Sequence, residues 1–388
     1  MHTLEIDGPR ACRNDELHEM IALVDAVMRA GSDQTFLTDY PLVYRDSNLQ
    51  NISINKVNGE IVSVVPYFPR NIAIDGCRFT IGIISPTATS PDHRKKGYGL
   101  NCLNAGIEKM TTDGIDLSVL WTEIPTFRFY EHAQYQAVRS QKWFYSCRKT
   151  DAGLFANNGH SIVEYDPKSK RYITDIREMH EKAVFGVLRS AEDYPSLFSL
   201  PKMKTLIALQ NNEPIGYLLV SRATNKPGLL EAGGEKAAVE TLVNNVLDEL
   251  DDKTALEVHG NLTPTVLGEL FEERMPESRT PVTEGGMMIR INDVCRFMGK
   301  IAPWLEQTNA GTARKFSVGI TDTAGLVGFE FTGRGLKLGS DRLDPHVEMS
   351  LREFTSIVFG AHSERPVDVP DILNLFPFYF PIWELDHS

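Results

Sequence analysis

Six consecutive residues hold the densest chemistry in the chain. Arg94-Lys95-Lys96-Gly97-Tyr98-Gly99 has the form R-x-x-G-x-G and lies between a strand-like run and the start of a helix. A helix N-terminus offers unpaired N–H groups and the positive end of the helix dipole to an anion. The two glycines let the backbone approach a pyrophosphate closely, and the three cations add charge for terminal phosphates. A solvated basic turn would use the same residues. A dinucleotide fingerprint, G-x-G-x-x-G, fails because its third glycine position holds Cys102, and no G-x-x-x-x-G-K-[ST] occurs.

Other chemistries are harder to find. The histidines show neither H-x-x-x-H nor H-E-x-x-H spacing, so no metal site is expected. No nucleophile elbow G-x-S-x-G occurs, so no acyl-enzyme is expected. The five cysteines, Cys12, Cys77, Cys102, Cys147 and Cys295, are odd in number and form no CxxC pair. They read as small buried hydrophobes in a reducing compartment, not as a disulfide framework or a thiolate zinc site.

The elements around the turn follow from periodicity. Residues 14–30 open with a capping residue and place Leu17, Ile21, Val24 and Met28 on one helical face. Residues 51–82 predict hairpins around Asn58-Gly59 and Asp75-Gly76, because both turn positions favour positive φ. Residues 97–113 carry the helical stripe Leu100, Leu103, Ile107 and Met110, with Gly114 as a cap beyond the end and a strand, IDLSVLWT, after it. This predicts one α/β domain over residues 1–150. Residues 151–286 repeat the plan in outline. A helix at 175–189 precedes strands at 205–209 and 215–220; Gly233-Gly234 then leads into a helix at 235–250 and the strand ALEVHG. Generic α/β alternation gives the same pattern. Residues 287–388 predict a helix around 294–305, a meander of FSVGITD and LVGFEFTG, a helix at 350–359 ending at Gly360, and an aromatic tail. Loose terminal aromatics aggregate, so the tail is expected to be packed in this domain or a neighbouring one.

Composition sets the outer limits. A chain of 388 residues, at about 150 per domain, makes two or three domains. Hydrophobic residues at 42% and charged residues at 24% exclude wholesale disorder. No stretch approaches the ~20 apolar residues of a membrane helix, so no membrane partner is expected. The acidic N-terminus lacks the apolar core of a secretory signal, which predicts a cytoplasmic location. A net charge of −12 argues against nucleic acid and attracts cationic small molecules; it also simply favours solubility.

Residues 90–99, Ser-Pro-Asp-His-Arg-Lys-Lys-Gly-Tyr-Gly, resemble the acetyl-CoA motif of the GCN5-related N-acetyltransferase (GNAT) superfamily. Phe129-Tyr130-Glu131-His132-Ala133-Gln134-Tyr135 resembles that superfamily's F-Y-x-x-x-G-[FY] segment, with Gln134 in place of the glycine that sets the backbone turn. The whole chain resembles the enhanced intracellular survival (Eis) family. That resemblance implies two tandem GNAT-like α/β (α+β) domains, 1–150 and 151–286, followed by a sterol-carrier-protein-like domain at 287–388. Only the first copy has the basic turn, so the second is expected to be catalytically silent. Acetyl-CoA is the implied co-substrate, with no metal. The implied reaction is direct transfer of acetyl, in a ternary complex, to a primary amine of a small cationic molecule or peptide, at more than one site of the acceptor. The implied assembly is a homo-oligomer, a hexamer.

The resemblance also assigns roles. The backbone of Ala88 or Thr89 would hold the oxyanion, and Arg94, Lys95, Lys96, Gly97, Tyr98 and Gly99 would hold the pyrophosphate. Tyr130 would be the general acid, since a phenol of pKa ~10 carries a proton at neutral pH; a packing role would use the same residue. The chain's own terminal carboxylate, on Ser388, would act as base or bind the ammonium. The family's tail usually ends in an aromatic residue, whereas this one ends Leu385-Asp386-His387-Ser388, and Asp386 or His387 could substitute. Trp121, Phe127, Phe129 and Tyr135 would form an aromatic wall or belong to the core, and Glu123 would steer the amine or lie in solvent. The competing readings are a non-catalytic acyl-CoA or lipid-binding sensor, and an acyltransferase using longer acyl chains.

Overall fold

A computed structural model of the chain describes residues 4–32, 34–138, 142–183, 185–223, 226–261, 265–282, 286–323, 325–360, 368–380 and 386. The first stretch runs β1 (Ile6–Ala11), α1 (Leu17–Met28), α2 (Phe36–Asp39), β2 (Ile52–Val57), β3 (Glu60–Ile74), β4 (Cys77–Ile84), β5 (Ala88–Thr89), α3 (Tyr98–Thr112), β6 (Leu117–Trp121), α4 (Phe127–Glu131) and β7 (Gln136–Ala137). Both expected hairpin turns form, with Asn58 and Gly59, and Asp75 and Gly76, at positive φ. β3 is a single strand of 15 residues where the sequence suggested two. β1, an exposed edge strand with no apolar alternation, was not anticipated.

The middle stretch runs β8 (Lys142–Arg148), β9 (Ser161–Glu164), α5 (Ile173–Glu181), β10 (Phe185–Leu188), α6 (Asp193–Phe198), β11 (Met203–Gln210), β12 (Glu213–Ala223), β13 (Lys226–Gly234), α7 (Lys236–Asp248), β14 (Ala255–Asn261), α8 (Val266–Arg274) and β15 (Arg279–Val282). The helix expected at 175–189 stops at Glu181. The apolar run Phe185-Gly186-Val187-Leu188 is a strand instead, and His180 closes the bend by bonding the Val187 carbonyl at 2.8 Å.

The last stretch runs β16 (Met287–Ile291), α9 (Val294–Lys300), α10 (Ala302–Thr308), β17 (Arg314–Ile320), β18 (Gly325–Thr332), β19 (Gly335–Gly339), β20 (His346–Met349) and α11 (Leu351–Phe359). The helix expected around 294–305 is two helices. Pro303 sits in the first turn of the second, where its missing N–H costs nothing, and it breaks the hydrogen-bond run there.

The chain divides into two compact units, Met1–Ser140 with Gly285–Phe380, and Gln141–Glu284 with Pro381–Ser388. These bounds differ from the three consecutive segments read from the sequence. The difference arises from two strands. In the first unit the sheet order is β1-β2-β3-β4-β6-β16-β7, with β5 also on β3. In the second it is β15-β8-β14-β13-β12-β11-β9. β4–β6 and β13–β14 are parallel pairs, and each is followed by two antiparallel pairs. β16 therefore occupies the place in the first sheet that β8 occupies in the second. The first sheet takes that strand from beyond residues 141–284, whereas β8 opens the second unit's own run.

The first unit also holds the four-stranded sheet β19-β18-β17-β20. The aromatic tail packs in this unit: Phe378 and Phe380 are buried and lie 6.1 and 5.6 Å from the Phe79 ring, with Phe297, Trp304 and Phe359 around Phe378. Four of the five cysteines are buried, and Cys295 is exposed.

The second unit has a charged core. Arg189, fully buried, makes paired bonds to Glu231 (2.9 and 2.6 Å) and to Asp386 (2.8 and 2.8 Å), and Tyr217 donates to Glu231 at 2.7 Å. Burial alone would raise the Glu231 carboxyl, but the Arg189 guanidinium and His180 hold it well below the usual carboxylate range. Arg189→Ala strands two buried carboxylates, so urea unfolding is expected to lose roughly 3–5 kcal/mol of stability at neutral pH. The loss should shrink as pH falls and the stranded carboxylates take up protons.

Candidate active site

The first sheet opens at one place. β4 pairs with β6 from Ile81–Leu117 to Ile83–Val119 and no further. Beyond that point β6 continues to Trp121 along β16, whereas the chain after β4 turns back to β3 as β5, pairing Val64 with Ala88 and Ser63 with Thr89. Residues 85–87 bulge between the two pairings. Ser90 donates its N–H to Val62 on β3 at 2.9 Å. Strand N–H groups alternate in direction, so the Thr89 N–H faces away from β3, on the side that β6 has left. Of the two backbones expected to hold an oxyanion, this geometry favours Thr89 over Ala88.

The basic turn follows directly. Lys95 and Gly97 both adopt positive φ, +60° and +89°. Such left-handed residues within a turn converge successive N–H groups into an anion-sized concavity. Gly97 is the N-cap of α3, so no side chain covers the first-turn N–H groups, and that turn contains no acidic residue. The positive end of a 15-residue helix is thus left open to an anion. Arg94, Lys95 and Lys96 are exposed, and among the described residues none of the three is ion-paired. Arg94 is steadied by a bond from Nε to the Thr89 carbonyl at 3.3 Å. The far end of α3 closes on Gly114, as expected: Gly114 donates to Thr111 and Ile115 to Met110, the paired bonds of a Schellman cap.

Gly99 ties the turn to the aromatic segment. A side chain there would meet Thr89 Oγ1 at 3.0 Å and the Phe129 ring at 3.5 Å. Asn55 fixes the start of α3 from β2 by donating to the Tyr98 carbonyl at 3.0 Å. Tyr130 is buried in a cluster with Cys102, Leu103, Leu120, Phe127, Tyr135 and Met288. Its ring meets Phe129 at 4.9 Å and Tyr135 at 5.9 Å. Burial pushes its phenol above the usual value, and the Thr87 hydroxyl beside it pulls the other way. A phenol held this way keeps its proton throughout the neutral range. Burial likewise pushes the Cys102 thiol up to about 12, so it is no nucleophile.

The remaining candidates separate. Phe127 and Tyr135 are fully buried, Tyr135 donating to Ser118 Oγ at 2.8 Å, so they are core and not wall. Trp121 and Phe129 are partly exposed, and Glu123 is exposed at the N-cap of a short 3-10 turn. Asp386 is committed to Arg189 in the second unit. Ser388 and His387 lie outside the described residues. Among the described residues no group of three His, Cys, Asp or Glu side chains is placed to hold a metal, and no helix is long and apolar enough to cross a membrane. Neither Thr87 nor Met288 carries a local signal that places it at this site. Met288 arrives on β16, more than 150 residues further along the chain.

Residues 9–138 match the model of the acetyltransferase (GNAT) domain. The chain carries a GNAT acetyltransferase domain, and it is an acyltransferase. GNAT domains use acetyl-CoA, and the reaction requires an acceptor. No curated protein matches the chain in sequence. Solved structures do. A protein of unknown function from Enterococcus faecalis V583, titled a probable N-acyltransferase, superposes with a TM-score of 0.72 at 13% identity, over 92% of this chain and 90% of that one. A GCN5-related N-acetyltransferase from Anabaena variabilis gives 0.68 at 12% identity, over 92% and 90%. Eis1 from Mycobacterium abscessus gives 0.62 at 13% identity, over 98% and 100%. At these identities the likeness is one of fold.

The GNAT domain also explains the departure at Gln134. Gln134 takes the glycine-like conformation itself, φ +67°, with Gln134 donating to Glu131 at 3.0 Å and Tyr135 to Tyr130 at 3.1 Å. The turn after Tyr130 is therefore kept, at the cost of a side chain in left-handed backbone, roughly 1 kcal/mol or more. Gln134→Gly is expected to raise stability by about 0.5–1 kcal/mol, once the flexibility of glycine is subtracted. A higher thermal midpoint with unchanged turnover is the expected result.

Proposed function

We propose that the chain is an acetyl-CoA-dependent N-acetyltransferase that acetylates a primary amine of a small cationic molecule or peptide. The observation that carries this reading is the open, acid-free N-terminus of α3, capped by Gly97 and flanked by Arg94, Lys95 and Lys96, held against Phe129 beside Tyr130. The turn would bind the co-substrate's pyrophosphate, and the gap past Ile83 and Val119 would receive the thioester. The amine nitrogen attacks the thioester carbonyl carbon, and the Thr89 N–H stabilises the oxyanion. As the intermediate collapses, the C–S bond breaks and Tyr130 gives its proton to the departing sulfur. The amine proton leaves to a base, and the phenol is refilled from solvent. Trp121, Phe129 and the exposed carboxylate of Glu123 would face a cationic acceptor. Asp386 is already bonded to Arg189 and is not the base.

The matching strand order of the two sheets supports reading residues 142–282 as a second, silent GNAT-like copy. There β13 ends at Gly234 and α7 begins at Lys236 behind a Glu235 N-cap, so no basic turn intervenes. The last stretch stays our candidate for a sterol-carrier-like domain, but Phe378 and Phe380 fill its contact with Phe79, which disfavours a lipid-binding role.

Free-thiol release from acetyl-CoA across a panel of polyamines, aminoglycosides and peptides, with a no-amine control, tests the reading. Amine-dependent release is expected. Tyr130→Phe should keep acetyl-CoA binding and lose about 100-fold in kcat, within the usual range for one acid–base group. Unchanged turnover in that variant removes Tyr130 as the acid; acetyl-CoA bound with no turnover on any amine overturns the enzyme reading.

A further inference from the structure

Tyr130 sits on a weakly built segment. α4 has five residues, too few for a helix to stand by itself, and β7 after it has two. Between them the backbone turns through the strained Gln134. Glu131, at the C-terminal end of α4, faces the negative end of the helix dipole, which costs stability unless a cation is near.

One side chain joins both flanks of this segment. Arg352 lies 3.1 Å from Glu131 on one side of Gln134 and donates from Nε to Gln136 Oε1 at 3.2 Å on the other. Gln136 is buried and Glu131 is mostly so. Arg352 itself is rigidly mounted. It sits in the first turn of α11, where Ser350 and Glu353 form a reciprocal cap and the Leu351 N–H bonds Asp322 at 2.8 Å. β7, which carries Gln136, is in turn paired to β16. We infer that Arg352 is a positioning residue for acyl transfer: it clamps Glu131 to Gln136 and thereby fixes the Tyr130 phenol. The residues 287–380 would then complete the catalytic site, through β16 and Arg352, in addition to any role of their own. The inference rests on Tyr130 being the acid.

The test is kinetic and uses the full chain. Arg352→Ala is expected to lower kcat by roughly 10- to 100-fold, the scale of a misplacement near 1 Å, with the acetyl-CoA KM changed less than about threefold. The alkaline limb of its kcat–pH profile should move to lower pH, because a loosened phenol is better hydrated. Arg352→Lys should recover part of the loss. The charge-swapped pair Glu131→Arg with Arg352→Glu should exceed either single variant in kcat, which guards against a simple folding defect. Arg352→Ala with wild-type kcat, while Tyr130→Phe is inactive, overturns the positioning role and leaves the acid in place. Parallel losses in kcat, KM and thermal midpoint that neither Arg352→Lys nor the swap repairs make Arg352 a scaffold residue only, and overturn it as well. Full activity in Tyr130→Phe fails the underlying reading instead.

Discussion

A parallel strand pair that stops early governs this molecule. β4 and β6 stay bonded through Ile83 and Val119, and then each finds a different partner. A sheet that parts leaves backbone donors without a strand to meet, and buried unpaired donors are costly. The fold tolerates the gap because both diverging edges are secured elsewhere, β5 on β3 and the end of β6 on β16. The Thr89 N–H is left facing the opening. The basic turn, the open end of α3 and the Phe129–Tyr130 segment lie around the same opening, so the groups we propose as phosphate binder, oxyanion donor and acid meet through one topological feature. The Gly99 contact with Thr89 and Phe129 sets how closely they approach.

Much of this was legible locally. Asn58-Gly59 and Asp75-Gly76 announce turns through the φ values they demand, and both form. The stripe on α3 and its Gly114 cap lie within one helix, so periodicity finds them. R-x-x-G-x-G is a contiguous motif whose chemistry belongs to its own backbone. What was illegible is what depends on partners distant in sequence. Neither β8 nor β16 carries any mark of the sheet it joins, because strand propensity is the same whichever neighbour accepts it. The same holds for Arg352, a surface-type residue by composition whose partners are Glu131 and Gln136. The Arg189 cluster was hidden in the same way, since a buried charge is recognised only once its carboxylates are seen around it.

Local rules also misled where tertiary context outweighed them. Phe185–Leu188 continues an apolar stripe that reads as helix, yet it is extended. Phe127 and Tyr135 lie in an aromatic-rich stretch that reads either as a substrate wall or as core; only tertiary packing decides, and the core takes both while Trp121 and Phe129 stay partly exposed. Gln134 breaks the expected motif in letters only: the backbone adopts the glycine conformation regardless, because the paired bonds from Gln134 and Tyr135 outweigh the strain.

The late arrival of β16 also sets a schedule for synthesis. A ribosome emits the N-terminal catalytic strands first, but the strand that must lie between β6 and β7 leaves the exit tunnel about 150 residues later. At roughly 5–20 residues per second, the nascent sheet waits on the order of ten to thirty seconds with a strand-wide vacancy and an uncovered apolar edge. During that interval the open edge is a docking place for any exposed strand, a neighbouring nascent copy included. The order of the chain thus makes completion of the first sheet contingent on synthesis of the intervening residues 138–286 and of β16 itself.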